Sequence, residues 1–287
     1  MTQKMTSLKY PLSGIPSTGI DNLRRLNLSV EVGGSLDTED IKLFADIAIS
    51  GHAPKRVDDL LMNIATPEDD FREESIEALL RYIDMARGFP KLEQVNIHPP
   101  LKRWVDEAQT RGANGEYDRL IDSCRRLADY AASSGIEIVL ENYIASWEDV
   151  PDDVTADEID WSSRNEAFGV TPGEWIQICE DVARPNFALC LDSSHASTYA
   201  HTIADVERRE EAVMAFVAKP DLIHHVHWSD NYLYDARGRE DSHALIGKGS
   251  LPVELHRAIK ELDATILIEH FYGIEELEQE LEYIEAL

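Results

Sequence analysis

Four short apolar runs each end on a side chain able to hold a divalent cation, and no other feature narrows the choice of fold as much. Ile136-Glu137-Ile138-Val139-Leu140 leads into Glu141, and Phe187-Ala188-Leu189-Cys190-Leu191 into Asp192. Leu222-Ile223-His224-His225-Val226 leads into His227, and Thr265-Ile266-Leu267-Ile268 into Glu269. Near-continuous apolar runs of this length suit parallel strands buried on both faces. A charge at the tip of such a strand is costly unless it is paired or bound to a cation. The four ends lie 51, 35 and 42 residues apart, as expected of successive strand–helix units whose C-terminal ends converge. The pattern predicts a metal site at the mouth of a closed β/α barrel.

The rest of the chain supports an α/β (β/α)8 TIM barrel as a single domain over residues 1–287. That length fits one barrel, for which about 250 residues is typical. Strand-like and helix-like segments alternate, which implies a mainly parallel sheet with crossover helices. Eight strands are predicted: Ser7–Leu12, Leu26–Val32, Ile47–His52, Leu92–His98, Ile136–Glu141, Asn186–Asp192, Leu222–Trp228 and Thr265–Glu269. Helices are predicted at Phe71–Arg87, Tyr117–Ala132, Ile203–Val217, Pro252–Leu262 and Ile274–Ile284, and another starts with Thr171 as N-cap and Pro172 at the first helical position. Two connections, Tyr143–Val170 and Ser229–Ser250, are too long for plain barrel loops and are expected to wall or cover the site.

Composition excludes several classes. No run approaches the ~20 apolar residues of a membrane span, and Met1-Thr2-Gln3-Lys4 lacks a signal-peptide layout. Cys124, Cys179 and Cys190 are read as buried thiols of a reducing cytoplasm. The balance of 55 acidic against 27 basic residues gives a net charge of −28. Such a surface repels itself and suits a halophilic setting in which salt screens it. It disfavours a nucleic-acid partner, since phosphate backbones are gripped by Lys and Arg. A homodimer is the default expectation.

Singly, each candidate ligand has a plain structural reading. Glu141 or Glu269 could be an ion-paired strand end, Asp192 a cap and His227 a hydrogen-bonded core histidine. Jointly, two Glu, one Asp and one His turned to one point without a cation would store severe repulsion. Carboxylates with imidazole suit Mn²⁺, Mg²⁺, Co²⁺ or Zn²⁺, and the lack of cysteine ligands argues against a structural zinc. Further candidates stand close by: His52 and His98 at strand ends, His195 one turn beyond Asp192, and Asp241 and His243 ahead of Ile246-Gly247-Lys248-Gly249. That glycine segment reads as a turn, because the Walker spacing of a phosphate loop is absent.

The segments Val95–Pro100, Ile138–Asn142, Leu189–His195, His225–Asn231, His243–Gly249 and Ile266–Glu269 resemble the xylose-isomerase-like barrel superfamily. That group includes sugar isomerases, ketose 3-epimerases, inosose dehydratases and the endonuclease IV class of abasic-site nucleases. The resemblance implies metal ligation by Glu141, Asp192, His227 and Glu269. It further implies proton transfer by Glu141 and Glu269 through a metal-stabilised enediolate, with His195 on the substrate. His98, Trp228 and His243 are expected to line the substrate, with Trp228 and Trp147 or Trp161 covering a sugar face. The expected substrate is a small sugar, sugar phosphate or polyol. Resemblance to the nuclease branch implies an alternative: three zinc ions, with His52 and His98 completing a second site and His195, Asp241 and His243 a third. A non-catalytic polyol binder or an inosose-type dehydratase is a further alternative. The resemblance departs at Leu233, where some ketose epimerases carry Arg; Arg237 or Arg239 would have to substitute.

Overall fold

Alternate side chains of a strand point to opposite faces, and here that period of two sorts chemistry from packing. The structure is a computed structural model describing residues 4–8, 19–33, 43–105, 110–111, 114–269 and 273–287. Eight parallel strands close into a barrel in chain order: β1 Lys4–Leu8, β2 Ser29–Gly33, β3 Ala48–His52, β4 Gln94–Ile97, β5 Glu137–Glu141, β6 Phe187–Asp192, β7 Ile223–Trp228 and β8 Thr265–Ile268. β1 closes the ring, pairing Met5 with Ser29 of β2 and Lys4 with Ile266 of β8. The predicted first strand, Ser7–Leu12, is corrected to Lys4–Leu8; residues 9–12 lie outside those described.

The outward faces carry Val95, Ile97, Ile138, Leu140, Leu189, Leu191, Val226, Ile266 and Ile268, all part of one large core shared with the helices. The helices are α1 Gly19–Arg25, α2 Asp69–Ala86, α3 Tyr117–Ala132, α4 Pro172–Val182, α5 Ser193–Ala200, α6 Arg209–Met214, α7 Val253–Glu261 and α8 Ile274–Ala286. In α3 the buried residues Leu120, Cys124, Leu127, Ala128 and Ala131 form the apolar stripe that packs it on the sheet. Thr171 caps α4 as expected, its side chain accepting from Glu174 N, with Pro172 in the first turn. The single helix predicted at Ile203–Val217 is instead α6 flanked by two 3₁₀ turns, Val206–Arg208 and Ala215–Val217, and it starts later than expected because Asp205 caps the first turn by accepting from the Glu207 amide. The sequence pattern does not predict α5. It starts directly on the strand end, with Asp192 as its N-cap. Cys124, Cys179 and Cys190 are free and buried. Among the described residues no helix is long and apolar enough to cross a membrane.

Candidate metal centre and substrate cavity

The inward faces of the strands converge at their C-terminal ends on four fully or almost fully buried groups: Glu141 (β5), Asp192 (β6), His227 (β7) and Glu269, which follows β8. His227 Nδ1 is the meeting point, 3.3 Å from Glu141 Oε1, 3.2 Å from Glu269 Oε2 and 3.9 Å from Asp192 Oδ2. Asp192 divides its two oxygens between structure and site. Oδ1 accepts from the Ser194 and His195 amides and so starts α5, while Oδ2 is buried without a hydrogen-bond partner. Glu141 Oε1 and His227 Nδ1 are likewise buried with no hydrogen bond. Orphaned polar atoms of this kind are costly in a dry interior unless something satisfies them. A divalent cation fits this all-oxygen-and-imidazole donor set.

The flanking candidates stand around the same point. His52 Nδ1 faces the Ala53 carbonyl at 3.1 Å, leaving Nε2 3.5 Å from Glu141 Oε2. His98 Nε2 lies 3.4 Å from that same oxygen. On the opposite side His195 Nδ1 faces Asn142 O at 2.8 Å, which turns Nε2 toward Asp241 Oδ2 at 3.4 Å and Asp192 Oδ2 at 3.7 Å. His243 Nε2 reaches Asp241 at 2.8 Å. The structure thus assembles every predicted ligand, and groups such as His52–His98–Glu141, Glu141–Asp192–His195 and Asp192–His227–Glu269 are able to hold a metal.

So many acids in a dry site need compensating positive charge. Burial alone would raise the Glu141 pKa, but His227 and His98 hold it well below the usual carboxylate range. Burial opposes charge on His195, yet Asp192 and Asp241 push its pKa up to about 10. Imidazoliums or a cation can each play the compensating part, and a bound metal competes with those protons.

Both long connections are built walls. Tyr143–Val170 has a small core of its own, in which Trp147 meets Trp161 edge-on at 5.0 Å and donates to Thr198 O. Ser229–Ser250 is organised by Asp230, whose carboxylate accepts from the amides of Asn231, Gly247 and Leu251. The Gly247-Lys248-Gly249 turn therefore wraps an internal carboxylate, and Gly247 takes a positive φ of 84° to do so. Between the two walls lies a cavity of about 410 Å³ reaching Tyr143 and Asp241. Leu233 is buried in the core and Arg237 pairs with Asp235, so of the two candidate substitutes for the epimerase Arg it is Arg239 that lines this cavity.

Trp228 requires a correction. It does not face the site: only 1% exposed, it packs in the outer core and donates its indole N–H to His256 on α7 at 3.0 Å. The reason is the strand period, since the neighbour of an inward residue such as His227 must point outward. Trp147, by contrast, lines the cavity. His224, close in sequence to the site histidine His227, pairs instead with Glu137 at the far end of the barrel. His270 lies outside the described residues.

Four site residues are not evident from the sequence pattern. Asn96 donates to Glu141 Oε2 at 2.6 Å. Asn142 pairs its side-chain amide with both backbone groups of Asp192. Tyr143 packs edge-on against His98 and His195. Glu31 lies fully buried beneath His227. A carboxylate inside the apolar run Val30-Glu31-Val32, and an amide between Val95 and Ile97, are the signals that could have found two of them.

Comparison with known proteins follows the same lines. The sequence profile of the xylose isomerase-like TIM barrel family matches residues 31–287. "Probable endonuclease 4" of Natronomonas pharaonis is 26% identical over 195 residues, covering 67% of this chain and 59% of that protein, so the chain spans about three-fifths of this relative's length. Among solved structures, a D-tagatose 3-epimerase-like protein superposes with a TM-score of 0.67 at 23% identity, covering 99% of both chains. D-psicose 3-epimerase with D-tagatose, from Clostridium cellulolyticum H10, superposes at 0.62 with 13% identity, covering 100% of this chain and 97% of its own. At those identities the two structures speak for the fold.

Proposed function

Since the chain belongs to the xylose isomerase-like TIM barrel family, we propose that it is a divalent-metal-dependent isomerase or epimerase of an unphosphorylated sugar or polyol. One observation carries this reading. Glu141 and Glu269 approach the same ring atom, His227 Nδ1, from β5 and the end of β8, next to a cavity of about 410 Å³. That volume suits a small molecule. When bound, a divalent cation supplies Lewis acidity at the oxygens of a hydroxy-carbonyl substrate. One of the two carboxylates takes a proton from carbon and the other returns one, so the choice of face decides between isomerisation and epimerisation. Asn96 holds Glu141 Oε2 in place, while Oε1 faces His227 Nδ1. His195, fixed through Nδ1, offers Nε2 to a substrate hydroxyl. His98, beside Glu141, and His243, beside Asp241, flank the metal-ligand candidates, and Trp147 supplies an apolar wall to the cavity.

The substrate class follows from charge. Glu148, Asp149, Asp152, Glu166, Glu240 and Asp241 line the cavity against Arg239. The Arg239 guanidinium lies 4.4 Å over the Trp147 ring and already donates to Pro151 O and Val154 O. Such a wall repels phosphate esters and nucleic-acid backbones. The expected result is exchange of solvent deuterium into a neutral ketose or aldose with Mn²⁺ present, and weaker or no exchange into its phosphate. No exchange across a broad panel of free sugars contradicts the proposal.

A second reading, a multinuclear zinc phosphodiesterase at abasic DNA sites, is favoured by the five flanking donors His52, His98, His195, Asp241 and His243. About three zinc ions per chain together with nicking of an abasic duplex decides for it.

The acidic surface further supports work in high salt. With a net charge of −28, raising KCl from about 0.1 M to about 1 M shortens the screening length from about 10 Å to about 3 Å. The melting temperature is expected to rise over that range, as thermal melts at each concentration would read. A flat or falling trend contradicts this.

A further inference from the structure

The inside of a β/α barrel is normally filled by layers of branched apolar side chains, yet the layer beneath these metal-ligand candidates is built on a carboxylate. Glu31 of β2 is fully buried. Three groups that can donate face it: Ser50 Oγ at 2.7 Å and His225 Nε2 at 2.8 Å from Oε2, and His227 Nε2 at 3.2 Å from Oε1. The support continues down the barrel axis. His225 Nδ1 lies 2.7 Å from Thr265 Oγ1, which is 2.6 Å from Gln94 Oε1, and Gln94 Nε2 donates to Glu137 at 2.9 Å. Glu31 is thus held from below by a continuous polar chain.

Glu31 Oε1 and His227 Nε2 are both buried without a hydrogen-bond partner. With the two 3.2 Å apart, a hydrogen on Nε2 is the arrangement that suits the pair, since an ionised carboxylate accepts hydrogen bonds and cannot donate them. In the neutral ring the lone pair then falls on Nδ1, the atom that faces Glu141, Asp192 and Glu269. Removing Glu31 takes away the carboxylate on the Nε2 side, and the three acids on the other side then favour the reverse arrangement, with the hydrogen on Nδ1 and the ring closed to a metal. Carboxylates behind metal-bound histidines act generally in this way.

We propose that Glu31 is a positioning residue that locks His227 as the Nε2–H tautomer and so presents Nδ1 to a cation shared with Glu141, Asp192 and Glu269. The proposal rests on the metal-centre reading above and is independent of the substrate. It is tested on the chelator-stripped full chain, titrated with ZnCl₂ by calorimetry, for wild type and Glu31→Gln. Gln is nearly isosteric but can donate its amide to His227 Nε2, inverting the tautomer. The first Zn²⁺ is expected to bind ~10–100-fold more weakly in Glu31→Gln, with the melting temperature of the metal-free protein largely retained. In the Zn²⁺-loaded wild type, ¹⁵N-histidine spectra should show His227 protonated at Nε2 and ligated at Nδ1. Should Glu31→Gln not fold, Thr265→Val serves instead, loosening His225 while leaving Glu31 in place, and a smaller loss of affinity is expected. Wild-type affinity in whichever variant folds, or ligation of His227 through Nε2, overturns this inference alone. A wild type that takes up no Zn²⁺ overturns the metal-centre reading along with it.

Discussion

Asp192→Asn is expected to lower the affinity of the barrel mouth for Mn²⁺ or Zn²⁺ by at least ~100-fold while leaving the fold intact. Losing a direct ligand should cost no less than losing an outer-shell partner, for which ~10–100-fold is typical. The substitution separates two jobs that Asp192 does with different atoms. Oδ1 caps α5 through the Ser194 and His195 amides, and an Asn oxygen caps as well as an Asp oxygen. Oδ2 is buried, lacks a hydrogen bond and faces His227 Nδ1 at 3.9 Å. Removing its charge also relieves the repulsion among the buried acids, so the metal-free variant should melt no lower than wild type. Calorimetric titration paired with thermal melts reads both effects. Undiminished metal uptake, or a large drop in melting temperature with uptake retained, would leave Asp192 as a cap and nothing more.

Trp175→Ala should destabilise the protein by about 3–5 kcal/mol, the range for emptying a large buried aromatic site. Trp175 of α4 is fully buried, packs against Phe216 at 5.8 Å and donates its indole N–H to Leu140 O at 2.9 Å. Leu140 directly precedes Glu141, so the same side chain ties the helix layer to the strand end that bears a metal ligand. Urea unfolding at saturating and zero metal measures the change. A loss under about 1 kcal/mol would mean that the site collapses around the cavity, against the close packing described.

How far the chain can be read without coordinates depends on the length scale of each signal. Strand ends at Glu141, Asp192 and Glu269 are visible because a charge closing an apolar run is a local pattern. The closed barrel follows from their recurrence. The strand at Lys4–Leu8 is misplaced by pattern because its residues, Lys-Met-Thr-Ser-Leu, lack that apolar continuity. α5 escapes because Ser-Ser-His-Ala-Ser-Thr-Tyr-Ala has little helical preference. Its start is set by Asp192 and its packing by the barrel. Proximity in sequence draws Trp228 toward the site, although the strand period places it on the other face. The Glu31–His225–Thr265–Gln94 chain joins four strands, and no local pattern announces which buried polar groups will meet. The supporting hydrogen bonds are a property of closure, and closure lies beyond any single segment.

An anomalous difference map from crystals grown with MnCl₂ would locate the cation itself. A metal centre at the barrel mouth requires a strong peak within bonding distance of Glu141 Oε1, Asp192 Oδ2, His227 Nδ1 and the Glu269 carboxylate. Well-ordered crystals with no peak there, or with manganese bound elsewhere and these four side chains bonded only to one another, would contradict it.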